Sequence, residues 1–141
     1  MDLEFYGIAL RLPSDWRDIT DDLPDGSPPT LAKPNGLGAI QFSIARHQGG
    51  EAAHIDRAAL QGLLEDFCAR HGFDCLPQSD DHDNIQVVKS RAIVDAELVA
   101  IWFASNGADV VLATYVSQQP GSRDTTDELN EAEAVIGSLR F

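Results

Sequence analysis

Four side chains of metal-ligand type lie close together in this sequence: Cys68, His71, Cys75 and His82. Thiolates and imidazoles are what a tetrahedral zinc site uses, but the spacing C-x2-H-x3-C-x6-H is not that of a familiar zinc motif. Cys68 also falls on the apolar stripe of a helical pattern, where a buried thiol packs as a small hydrophobe. The favoured reading is a core thiol and no metal. The run Asp80, Asp81, His82, Asp83 and Asn84 offers oxygen ligands for calcium. Such a loop needs ligands at alternate positions followed by a turning Gly, and Ile85 and Gln86 stand where the next ligand and the Gly belong. A solvated polar turn fits better. Gly36-x-Gly38 is a fragment of a phosphate loop, but it precedes a strand, whereas a dinucleotide fingerprint follows a strand and opens a helix. His47 and His54 flank the Gly49-Gly50 break without a carboxylate specified by spacing. No G-x-S-x-G is present, and no Ser or Cys stands beside a local His as an activated nucleophile. The sequence therefore predicts no catalytic residues, no metal and no cofactor.

A different signal is the density of acids. The chain has 141 residues with 23 Asp and Glu against 10 Lys and Arg, a formal net charge of −13. That balance argues against nucleic-acid binding, which needs clustered cations, and against anionic membrane surfaces. A basic protein partner suits it. The acids concentrate in one segment. Residues 13–36 hold five of the seven prolines, so they cannot form a long helix or a central strand. Within or beside that stretch lie Asp15, Asp18, Asp21, Asp22 and Asp25, with Trp16, Leu23 and Leu31. Acids steer a basic partner and an apolar anchor supplies binding energy, so Asp15, Trp16, Asp18, Asp21, Asp22, Asp25 and Leu31 are the candidate partner-binding residues. The competing expectation is that Trp16 and Leu31 fold back and plug one end of the sheet, and for Trp16 burial is the favoured reading.

The elements that position this segment are legible from periodicity. Residues 3–12 alternate, with Tyr6, Ile8, Leu10 and Leu12 on one face, and read as a strand. A second strand spans 38–46, with Ile40, Phe42 and Ile44 inward. From about His54 to His71 the pattern is helical: Ile55, Ala59, Leu63 and Phe67 recur every fourth residue, flanked by Leu60, Leu64 and Cys68, and Gly72 is placed to cap the end. Strands follow over 85–94, 97–105 and 108–117, the last two joined by Asn106-Gly107. The middle one is apolar on both faces, which predicts a central position. A final helix begins near Thr125, where Thr125 and Glu128 match a capping box, and carries Leu129, Ala132, Ile136 and Leu139 on its stripe. The expected fold is a single α+β domain over residues 1–141, an antiparallel sheet with two packed helices in the order β-β-α-β-β-β-α. Trp102, Phe42, Leu63 and Ile136 are expected in its core. No apolar run reaches membrane-span length and the start lacks a basic leader region, so the expected compartment is the cytoplasm, where two cysteines do not make a disulfide framework.

The opening turn Leu12-Pro13-Ser14-Asp15-Trp16 and the closing AEAVIGSLRF of residues 132–141, together with the element order, resemble the PsbP-like fold. Some small bacterial proteins of that group resemble chaperones that load effectors for type VI secretion, and others look like immunity proteins encoded beside polymorphic toxins. The texture of residues 18–50 is closer to the first kind. The resemblance implies a non-catalytic protein-binding module, whose partner is a cognate basic toxin or an effector, and it carries over no functional residue. A small-ligand-binding protein or enzyme with a pocket between sheet and helices is the alternative from another class, and a fold alone does not choose.

Overall fold

A computed structural model of the chain describes residues 2–13, 15–46, 54–81, 85–119 and 121–141. The first alternating segment is not one strand but two, β1 (Asp2–Phe5) and β2 (Ile8–Arg11), paired in register from Asp2 opposite Arg11 to Phe5 opposite Ile8. A two-residue hairpin turn of this kind needs positive φ at both central positions, and Tyr6 and Gly7 have φ of 53° and 86°. Tyr6, expected on the inner face, is therefore carried out into solvent at the turn, while Phe5, Ile8 and Leu10 point inward.

The remaining strands form one antiparallel sheet. They are β3 (Arg17–Asp18), β4 (Thr30–Ala32), β5 (Gly38–Ala45), β6 (Gln78–Ser79), β7 (Gln86–Val94), β8 (Glu97–Ser105) and β9 (Val110–Ser117), in spatial order β3-β4-β5-β9-β8-β7-β6. With the helices α1 (Arg57–His71) and α2 (Arg123–Gly137) this is an α+β domain with two helices and antiparallel sheets, as expected. The short strands β3, β4 and β6 lengthen the sheet at both edges beyond the expected order. Strand β8 is central and buried continuously from Val99 to Ser105, because its two faces meet different helices.

On one face α2 and the β1–β2 hairpin enclose Trp16, Ile40, Phe42, Trp102, Tyr115 and Ile136. On the other, α1 packs Leu60, Leu64 and Cys68 against Val88, Ile101 and Phe103. Two stripes one residue apart compete along α1, and packing selects the 60–64–68 stripe. Leu63, expected in the core, is consequently 38% exposed. Asp56 caps α1 by accepting from Ala59 N at 2.8 Å, and Gly72 ends it at φ 70°. For α2 the capping residue is Ser122, whose Oγ accepts from Thr125 N at 3.0 Å, so Thr125 and Glu128 do not form the expected box. Among the described residues no helix is long and apolar enough to cross a membrane.

Cys68 is not a free thiol. Gly72 turns the chain back after α1, and Cys75 returns to bond Cys68 across a Cα–Cα distance of 6.2 Å. The disulfide fastens the end of α1 to the segment entering β6 and removes both sulfurs from any thiolate chemistry.

Tyr115 lies at 0% exposure in the α2-side core, and its hydroxyl donates to Glu128 Oε1 at 3.1 Å. Burial, then the charge of Glu128, raises its pKa far above that of an ordinary phenol. The unfolded chain loses this proton near pH 10 and the folded chain does not, so protons favour the fold and stability declines as pH rises through that region. Urea melts between about pH 9 and pH 11 should show the decline, with a shallower slope for Tyr115→Phe.

Candidate functional site

The proline-rich segment folds as an edge of the sheet rather than as a free loop. Strand β3 pairs with β4, Arg17 opposite Ala32 and Asp18 opposite Leu31, and β4 pairs with β5. Between β3 and β4 a short 3-10 turn spans Thr20–Asp22. Asp18 Oδ1 anchors that turn by accepting from Thr20 N at 2.9 Å and Thr20 Oγ1 at 2.6 Å. Thr20 Oγ1 in turn accepts from Thr30 N at 2.8 Å. The segment is thus closed on itself by local polar bonds, with Asp21 and Asp22 on the 3-10 turn and Asp25 in the Pro24–Ser27 turn, where Ser27 N donates to Pro24 O at 3.1 Å. Asp15, Asp18, Asp21, Asp22 and Asp25 are all exposed.

Trp16 and Leu31 are not part of that surface. They are 2% and 0% exposed and pack in the α2-side core with Phe42 and Ile40. The expectation that they serve as contact anchors is therefore corrected: burying a large aromatic and a Leu at the end of the sheet removes more apolar area from water than presenting them does. On the same segment Leu23 is partly buried and Pro24 and Pro28 are exposed, so these provide its accessible apolar surface.

The acidic surface also extends to residues that sequence reasoning did not assign. Asp15 borders a cleft of about 430 Å³ whose other walls are Lys33, Asn35 and the acids Asp124, Asp127 and Glu131 of α2. Spacings of three and four residues place these three α2 acids on one helix face, a signal that was available in the sequence. Lys33 Nζ donates to Glu131 Oε2 at 2.9 Å. That hydrogen bond, with the charges of Glu131, Asp15 and Glu128, raises the Lys33 pKa, so the ammonium remains charged among carboxylates.

Beneath the cleft Glu128 is 4% exposed. Its carboxylate accepts from Leu37 N at 3.0 Å, Gly38 N at 2.8 Å and the Tyr115 hydroxyl. The Gly36-x-Gly38 backbone thus presents two amides to an anion, and the anion is the protein's own carboxylate. Gly38 has no room for a side chain: a Cβ there would lie 2.3 Å from Val116 O.

Among the described residues no group of three or more His, Cys, Asp or Glu is placed to hold a metal ion. Asp80 and Asp81 are used structurally: Lys89 Nζ reaches Asp80 at 3.3 Å, and Asp81 pairs with Arg57. His47, His82, Asp83 and Asn84 lie outside the described residues. His71 lies against two aromatic rings, tilted on Phe67 at 4.3 Å and stacked on Phe73 at 5.4 Å by ring centroid.

No family model and no curated protein matches the chain. Among solved structures it is similar to a protein from Bacteroides thetaiotaomicron VPI-5482 determined at 1.50 Å, with a TM-score of 0.61 and 16% identity. The match covers 94% of this chain and 44% of that one, so the chain spans less than half the length of its structural relative. At this identity the likeness is one of fold.

Proposed function

We propose that this chain is a non-catalytic protein-binding module of PsbP-like kind, and that its role is immunity: capture and occlusion of a cognate basic toxin. One observation carries the reading. The exposed Asp15, Asp18, Asp21, Asp22 and Asp25 at the β3 edge continue, across the Lys33 cleft, into Asp124, Asp127 and Glu131 of α2. Eight acids gathered in this way attract a cationic surface before contact and orient its approach. Leu23, Pro24 and Pro28 give the encounter an apolar component in place of the buried Trp16 and Leu31.

The chaperone alternative calls for a broad apolar face to shield a client helix. Here each sheet face carries a helix, and the part of the α1 face on β5 and β9 mixes Gln41, Ser43 and Thr114 with Val116, which favours it less. The disulfide bears on where the encounter takes place. Cytosolic thiols are kept reduced, so the Cys68–Cys75 bond favours an oxidising compartment over the cytoplasm expected from the sequence.

The test is to express the product of the adjacent gene in a bacterial host with and without this chain. Rescue of growth together with a stable complex supports immunity. A complex with a membrane-helix client and no rescue favours the chaperone, and absence of both overturns the binding role with that product.

A further inference from the structure

Between α1 and β7 the chain runs along the sheet edge with its residues divided between the two faces. Asp74, Leu76 and Gln78 form one wall of a cleft of about 400 Å³ on the α2 side, floored by Ala100 and Trp102 and bordered by Glu133 of α2. Cys75, between two of them, turns the other way. It packs on the α1-side core and bonds Cys68 there. A disulfide on one face of the sheet therefore sets the position of a cleft wall on the other.

Few other contacts fix this strip. Asp74, Leu76, Gln78 and Ser79 are exposed, Leu76 to 80%. Of Cys75 and Leu76, the large apolar side chain is thus the one in solvent, and Cys75 alone joins a core cluster. Strand β6 is two residues long and pairs Gln78 with Lys89 and Ser79 with Val88. Ahead of it, Ser90 Oγ donates to Leu76 O at 3.2 Å. These polar bonds lie at the sheet edge, where water replaces a lost partner, so each adds little. Phe73 belongs to the helix end: its N–H donates to Cys68 O at 2.8 Å and its ring meets Phe67. Cys68, 3% exposed beside Leu64, packs as a small hydrophobe whether bonded or free, so α1 does not depend on the bond.

We infer that the Cys68–Cys75 bond is a redox clasp: its reduction by a dithiol releases residues 74–79 from β7, opens the outer wall of the Trp102 cleft and leaves the rest of the fold standing. The exchange balances. A thiolate of the reductant attacks Sγ of Cys75, the less buried of the two residues, the S–S bond breaks, and Cys68 leaves as a thiolate that takes a proton from solvent. The reductant's second thiol then displaces Cys75 as a free thiol and closes the reductant's own disulfide. Two electrons and two protons pass to the protein. The bond joins residues seven positions apart, and breaking it returns to the strip the conformational freedom that the closed loop removes. In a reducing compartment the chain is folded with this edge of β7 uncovered, and transfer to an oxidising one closes it. The clasp is separate from the acidic surface, and its test needs no partner.

The test is amide exchange by NMR on oxidised protein, on protein reduced with dithiothreitol and on Cys75→Ser. Asp80 N donates to Val87 O at 2.9 Å, and an antiparallel ladder alternates from that bond. Gln78 and Lys89 therefore bond to each other, whereas Ser90 and Ala92 bond to β8. Reduction should speed exchange at Gln78 and Lys89 at least about tenfold and leave Ser90, Ala92 and the β8 amides unchanged. The Trp102 indole signal should shift, and that of Trp16, which does not line the cleft, should not. Cys75→Ser should match the reduced protein in the absence of reductant, and reoxidised wild type should regain slow exchange. Unchanged exchange at Gln78 and Lys89, loss of protection spread through β8 and β9, or a bond that dithiothreitol reduces only after unfolding in urea would each overturn the inference.

Discussion

Replacing Glu128 with Ala should cost about 3 kcal/mol of stability and lower the melting temperature by roughly 10 °C. Its carboxylate satisfies Leu37 N, Gly38 N and the Tyr115 hydroxyl, which lie between the α2-side core and the acidic cleft. Removing it leaves three donors that the packed structure cannot offer to water without opening. The loop cannot close the gap by shifting, because Gly38 already lies against Val116 O. Glu128→Gln keeps one acceptor oxygen and should lose about half as much, since its amide then opposes a donor. Thermal and urea melts of the two variants measure the ratio. Equal, small losses would mean that the buried carboxylate is not what holds the 36–38 turn.

Asn at Asp18, Asp21, Asp22 and Asp25 together should slow association with a basic partner by about tenfold at low ionic strength and leave the fold intact. The substitution moves the net charge from −13 to −9, that is −13 + 4, and removes the charges from one exposed edge. Asn retains the oxygen that Thr20 uses at Asp18, so the local turn keeps its anchor. Because steering acts over a distance set by salt, the difference between wild type and variant should shrink as ionic strength rises and nearly vanish at roughly 0.5 M. Dissociation should change less than association, since exposed charges at a rim contribute to encounter more than to residence.

The long elements were legible because each carries an uninterrupted period. Strands β5 and β9 alternate over eight residues, and the two-sided apolar run of β8 revealed its central place. Short elements have no period to read. Strands β3, β4 and β6 are two or three residues long and exist because a neighbouring strand offers them an edge. The β1–β2 turn was hidden by an alternation that continues through it, with only Gly7 to mark the reversal. Along α1 the competing stripes differ by one residue, and the sheet decides between them. The Cys68–Cys75 bond follows from the path of the chain after Gly72, which spacing alone does not specify.

The candidate site divides in the same way. Its acids could be read as exposed because Asp in a proline-rich stretch has no other favourable place. Burial of Trp16 was favoured from its size alone, whereas that of Leu31 depends on how β3 and β4 dock on β5. The spacing of Asp124, Asp127 and Glu131 was visible, but their meeting with Asp15 is a tertiary fact. Glu128 looked like a cap by position, and only the approach of the 36–38 turn shows that its carboxylate faces away from the helix start.

The most direct test of the acidic surface is stopped-flow association of wild type and the Asp18, Asp21, Asp22 and Asp25 variant with the adjacent gene product across a salt series. Capture by this surface predicts a rate that falls steeply with salt for wild type, about tenfold slower and with a flatter slope for the variant at low salt. Identical rates and slopes for the two proteins would contradict it.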